Sequence, residues 1–173
     1  MARIRFFENG VLKRILALSN GKLKILDSNE NVVKDLEAEV KKYLIQTKAI
    51  QTVGEDEYHY YDVTDLNTGE TTEHEAFNNP LTVNLDNDAV IFVEDHPTEG
   101  GTDNSTVIIN INSGLSGKYV LILKATTKSY VSLQDNGSEV LYLSKADYGV
   151  IFAIHDGTKL HAIKLVPSSG GAA

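Results

Sequence analysis

Cysteine is absent from this 173-residue chain, and with it go disulfides, thiolate chemistry and cysteine-based zinc sites. No apolar run approaches the length needed to span a bilayer as a helix. The opening MARIRFFENG lacks the apolar stretch of a secretory signal, so the expectation is a protein made in the cytoplasm and not exported by the usual route. Also missing are GxSxG, HExxH, the Walker phosphate loop and GxGxxG, and Gly100-Gly101 has no phosphate-binding context. Asp86-Asn87-Asp88 with Glu94 and Asp95 lacks the spacing and the glycine of an EF-hand, and reads as a polar turn. Glu55, Asp56 and Glu57 form a solvated run, not a glycosidase pair. No catalytic residue, cofactor or metal is expected from these absences, and the chain reads as a non-enzyme.

What is present is ordinary for a globular protein: 42% hydrophobic and 23% charged residues, enough for a core without staples. The net charge of -8 is unevenly spread. Residues 1–24 carry Arg3, Arg5, Lys13, Arg14, Lys22 and Lys24 against Glu8 alone, whereas residues 25–100 carry four lysines against 18 acids. An acidic whole argues against nucleic acid as the main partner. The six cations of the first segment are candidate docking residues for an acidic protein surface; otherwise they are a solvated strand face.

Asn9-Gly10 and Asn20-Gly21 are strong hairpin signals, because both central positions of a type I′ turn need positive φ. Two-residue turns there pair Phe7 with Leu12, Leu16 with Ile25 and Leu18 with Leu23, which makes a three-stranded meander. Over residues 31–46, Val33, Leu36, Val40, Tyr43 and Leu44 fall near helical spacing and predict a short amphipathic helix covering the ribbon. Residues 43–53 are open to a strand instead. Residues 54–77 are acidic and aromatic. There Tyr58, Tyr60 and Tyr61 are candidate glycan contacts, since aromatic faces suit pyranose rings; an ordinary aromatic strand is the alternative. Two strands joined at Asp86–Asp88 follow, and then HPTEGGTDNS, whose proline, glycines and polar residues suit a linker.

From residue 106 the chain is strand after strand: TVIININ, KYVLILK, SYVSLQD, EVLYLS, GVIFAIH and KLHAIKLV. Short, even spacing suggests a sandwich or barrel-like module. In the last pair, His155 and Asp156 are neighbours in an extended chain, point to opposite faces and make a poor acid–base pair. Asp156-Gly157 reads as the turn. A three-residue loop pairs Phe152 with Leu160, a two-residue loop pairs Phe152 with His161, and a metal site from His155 and His161 is not expected. Both faces of this hairpin are apolar, as they are in TVIININ and KYVLILK. Ile151, Ala153, Ile163 and Leu165 are therefore candidate oligomer-interface residues. The expected fold is mainly β. It comprises an N-terminal β-meander with one short helix over 1–95, a linker at 96–105, a C-terminal antiparallel β-sandwich or barrel-like module over 106–166, and a flexible tail at 167–173.

The order of pieces in that module resembles a β module of bacteriophage virion structural proteins, found in head fibres, tail fibres and capsid decoration. The pieces are Thr106–Asn112, Ser113–Gly117, Tyr119–Lys124, Tyr130–Leu133, Leu141–Asp147 and Phe152–His161, and LYLSKADYGVIFAIHDGTKLHAIKL carries most of the likeness. Where that family often has an aromatic after the DGT turn, this chain has Lys159-Leu160-His161. The resemblance implies a structural role without chemistry. It implies a homo-oligomer, trimer favoured, partnered by major capsid or tail proteins in the virion after synthesis in the host cytoplasm. Neither nucleic acid nor membrane is an expected partner. The alternative is a glycan- or receptor-binding module of a phage fibre.

Overall fold

The computed structural model describes residues 2–19, 22–35, 40–78, 80–100, 105–112 and 117–166. The chain opens with a four-stranded antiparallel ribbon: β1 (Ala2–Glu8), β2 (Val11–Ser19), β3 (Lys22–Leu26) and β4 (Val32–Asp35). Asn9 and Gly10 both have positive φ, and Phe7 pairs with Leu12, as the hairpin signal requires. Asn20-Gly21 lies outside the described residues, but Leu16↔Ile25 and Leu18↔Leu23 are the expected pairs on its two sides. A bulge then shifts the first hairpin, so that Phe6 pairs with Arg14.

Four strands follow in a second sheet: β5 (Lys41–Thr47), β6 (Gln51–Val53), β7 (Asp56–Asp65) and β8 (Thr71–Phe77). The helix expected over 31–46 is not formed. Its two ends are strands β4 and β5, and residues 36–39 lie outside the described residues. In β5 the alternation that matters is Tyr43, Ile45 and Thr47, one face of a pleated strand. Ile45 and Thr47 on that face are buried, and this period-two burial outweighs the loose helical spacing.

The chain then winds back and forth between two sheets. β9 (Leu81–Leu85) opens a third sheet, and β10 (Ala89–Asp95) joins the second, parallel to β5. β11 (Ser105–Ile111) pairs parallel with β9, and β12 (Tyr119–Lys124) parallel with β10. β13 (Ser129–Asp135) adds parallel to β11, and β14 (Ser138–Leu143) closes that sheet antiparallel. β15 (Gly149–His155) and β16 (Leu160–Leu165) complete the central sheet, whose order is β16-β15-β12-β10-β5-β7-β6, with β8 on β7.

The module expected to be an antiparallel sandwich or barrel is thus a coil of parallel strands in two open sheets, with antiparallel strands only at its end. The cause is legible in β10 and β12. Both are apolar on both faces, which is the pattern of parallel strands buried on two sides and not of a half-exposed hairpin. The segment 96–105, expected to be a linker, carries the chain from the central to the third sheet. Strands from before and after it alternate in both. The tail, 167–173, lies outside the described residues.

Three layers result. Between the central and third sheets, Ile45, Ile91, Val93, Ile122 and Ile151 meet Val107, Ile109, Val131, Leu133 and Leu143 in the main core. On the other side of the central sheet, Phe6, Leu16 and Ile25 of the ribbon pack on Tyr119, Phe152 and Ile154. The Phe6 and Phe152 rings lie 5.3 Å apart.

Parallel stacking puts like residues in rows: Val83, Ile109 and Leu133 in the core, and Asn84, Asn110 and Gln134 outside it. The Asn110 amide donates to Asn84 Oδ1 at 2.9 Å, and Asn112 donates to Asp86 Oδ1 at 2.7 Å. Where β9 turns into β10, Asp88 is buried and links three strands. Its carboxylate accepts from Tyr119 N at the start of β12 (3.0 Å), and its carbonyl accepts from Lys41 N at the start of β5 (3.1 Å). Replacing Asp88 by Ala leaves the buried Tyr119 N–H without that acceptor, and is expected to cost about 2 kcal/mol in guanidinium unfolding. Asp88→Asn, which keeps an acceptor oxygen, is expected to cost less; equal losses would show that the hydrogen bond is not the cause.

Candidate functional site

Among the described residues, three places are candidates for a site. The first is the tip of the last hairpin. Phe152 pairs with Ile163, and His155 with Leu160, so the loop is the four residues 156–159 and neither expected register is adopted. Asp156 sets this length. Its Oδ1 accepts from Thr158 N (2.8 Å) and Lys159 N (3.0 Å), while Gly157 takes φ 101°.

As the sequence indicated, His155 and Asp156 do not pair; each instead has another partner. The buried His155 accepts from Gly157 N on Nδ1 (3.0 Å), and its Nε2 lies 3.6 Å from Asp135 Oδ1. His161 Nε2 donates to Asp156 Oδ2 at 2.6 Å and lies 3.5 Å from Glu8 Oε2 at the end of β1. Lys159 forms an ion pair with the other oxygen of Glu8. Burial works against the charge of Asp156, but the Lys159 N–H, the His161 ring and the Thr158 N–H outweigh it and hold its carboxyl well below the usual range.

The second place is a cleft of about 470 Å³ lined by Lys48, Ala49, Gln51, Tyr60, Glu73 and Glu99. The Lys48 ammonium reaches Glu73 (2.5 Å), Asp62 (3.1 Å) and Glu99 (3.1 Å), and these carboxylates raise its pKa, led by Glu73. The three expected glycan contacts do not act together here. Tyr61 is fully buried in the main core, with its hydroxyl donating to Thr106 O, and Tyr58 packs on Phe77 at 5.2 Å. Only Tyr60 borders the cleft.

The third place is on the ribbon side of the central sheet. Strand register arranges that face in rows. Val90, Leu121, Phe152 and Ile163 form one row, and the ribbon packs on it. The next row is Phe92, Leu123, Val150 and Leu165, where Phe92 is 39% and Leu165 55% exposed. This row floors an apolar groove of about 560 Å³, which Glu94, Ala125, Gly149 and Val166 complete.

Lys124 lies at the margin of the groove, nearly fully buried, with its ammonium donating to the carbonyls of Thr126, Lys145 (3.1 Å) and Asp147 (2.5 Å). Burial pushes its pKa down. Of the four expected interface residues, Ile151 and Ala153 are wholly covered by the third sheet and Ile163 packs against the ribbon cluster. Leu165 alone opens to the groove. Phe92, Leu123 and Val150 were missed, although the two-faced AVIFVED and YVLILK runs carried the signal.

The expected docking cations are dispersed. Arg3 and Lys24 share a row with Ala17, and Arg5 shares the next with Ile15, on a ribbon face whose Ile15, Ala17 and Leu26 are themselves buried. Arg3 is ion-paired to Glu30. Lys13 sits at the bulge, Arg14 pairs with Phe6 across it, and the side chain of Lys22 lies outside the described residues. The carboxylates set aside as a calcium site are spent on protein donors, Asp95 on Thr126 (2.6 Å) and Glu94 on Gln46 (2.8 Å). Compared with known protein families, curated proteins and solved structures, the chain matches none.

A carboxyl whose pKa is depressed in the folded state adds stability that is present above its unfolded value and lost as pH falls through the folded one. Urea midpoints are therefore expected to fall on acidification below about pH 4. Asp156→Asn should flatten part of that fall. Superimposable pH profiles for the two proteins would show that Asp156 does not contribute to it.

Proposed function

We propose that the chain is a non-enzymatic structural component of a bacteriophage virion, a head fibre, capsid decoration or tail-associated protein, that assembles through β-rich surfaces. The observation that carries the reading is the partly exposed apolar row Phe92–Leu123–Val150–Leu165, which runs out to β16 at the end of the central sheet. An uncovered apolar groove on a sheet face marks a surface on which another chain can be buried. The resemblance of residues 106–166 to virion β modules supplies the setting. The first partner is a second copy of the chain, in a trimer by that resemblance, and the next is a major capsid or tail protein. The exposed Arg5 of the ribbon suits docking on an acidic surface.

Light scattering on the full-length chain tests self-assembly. The expected result is a mass of several chains, reduced to one chain by the double change Phe92→Glu and Leu165→Glu. A single-chain mass for the unaltered protein overturns the homo-oligomer.

A second reading, a glycan- or receptor-binding module of a phage fibre, rests on the polar cleft beside Tyr60. An aromatic edge flanked by Gln51, Glu73 and Glu99 offers a stacking face together with hydroxyl-directed acceptors. Tyr60→Ala should then abolish retention on a glycan array, and Tyr58→Ala should not. Equal binding by all three proteins rejects this reading.

A further inference from the structure

Among the described residues, one group brings three metal-ligating side chains to a common point: Glu8, Asp156 and His161, whose donor atoms all lie within 4.8 Å of one another. We propose that they form a binding site for a borderline divalent cation of the zinc class, closed jointly by the ribbon and the last hairpin.

The three donor atoms are presented in an ordered way. Asp156 is anchored through Oδ1 by the Thr158 and Lys159 N–H groups, which leaves Oδ2 directed at His161. Glu8 is anchored through Oε1 by the Lys159 ammonium, which leaves Oε2 directed at the same ring nitrogen. Each carboxylate is thus held by one oxygen and offers the other. In established metal sites, this is what the partners behind the ligands do.

Spacing agrees. An ion bound at about 2.0–2.2 Å needs donors roughly 3 to 3.5 Å apart. Glu8 Oε2 stands 3.5 Å from His161 Nε2 already. Asp156 Oδ2, at 2.6 Å, has to retreat only as far as a cation in place of a proton requires.

The donor set selects the class. One imidazole with two carboxylates suits zinc and its neighbours; magnesium and calcium favour all-oxygen shells, and the softest ions want sulfur. On binding, the ion takes the Nε2 lone pair, and the proton that bonded Asp156 moves to Nδ1 or to water. Three protein donors leave at least one position to water. The Lys159 ammonium that anchors Glu8 also opposes the ion by its charge, which limits the affinity.

Glu8 comes from the first strand, while the other two donors come from the last loop and strand. The ion therefore fastens the ribbon to the central sheet at the end where the hairpin turns meet. Nothing in the assembly reading above is needed for it.

Isothermal titration of the full-length protein with Zn²⁺ alone tests the site, with Mg²⁺ as comparison and apo melting curves to verify that each variant folds. The expected result is one Zn²⁺ per chain, little response to Mg²⁺, and at least tenfold weaker binding in both His161→Gln and Glu8→Gln. Absence of saturable Zn²⁺ binding, or binding unchanged in both variants, overturns it.

Discussion

Strands β10, β12 and β15 carry apolar side chains on both faces, and each face needs a cover that the same chain must supply. Ile91, Ile122 and Ile151 point into the third sheet, while Val90, Leu121 and Phe152 point at the ribbon. A fully buried side chain of this size is worth roughly 1.5 to 3 kcal/mol, so two such layers outweigh any local preference along the chain. This double demand explains the winding. A hairpin would have left β9 beside β10 in one sheet, whereas the alternation of β9 to β13 between sheets builds the cover at the same rate as the surface to be covered. It also explains the position of the groove: the ribbon extends over two rows of the central sheet and ends before the third.

The corners where the chain changes sheets bring polar backbone groups into the interior, and charged side chains satisfy them. Asp88 does so at one end of the coil, and Lys124 at the other, where its ammonium replaces three hydrogen-bond donors. Thr126, Asp95, Thr47 and Ser129 continue that second corner as a chain of side-chain hydrogen bonds. Buried ions are tolerated here because they are fully bonded, and each bond of this kind contributes roughly 1.5 to 3 kcal/mol. The Asp156 turn uses the same device outside the core.

Much of the fold was legible in the sequence, because local rules governed it. Asn9-Gly10 fixed a turn and its register, and Asp156-Gly157 marked a turn correctly but not its length, since the capping by Asp156 is a side-chain effect that a pattern of apolar residues does not encode. The β5 segment reads both ways, because seven residues do not separate a strand from a loose helical spacing when partners are unknown; the strand left open from Tyr43 is what forms, and the helix does not. Parallel pairing was not read either: two-faced apolar strands signal it, but which strands meet, as Ile109 meets Val83 and Leu133, is set by the winding. The groups around His161 show the same limit. The hairpin residues were noticed together, but Glu8 belongs to the opposite end of the chain and only the docking of ribbon on sheet brings it near.

That docking has a consequence in time. The ribbon leaves the ribosome well before Tyr119 and Phe152, on which its apolar face rests. At about 5–20 residues per second, Phe6 waits roughly 7 to 30 seconds for the ring that it packs against. During that interval β10 to β13 can wind rung by rung, each new strand finding a parallel neighbour already in place. The ribbon meanwhile has a finished hairpin and no surface to lie on. The ribbon is therefore formed before its cover, and its apolar face is open to aggregation while that cover is being made.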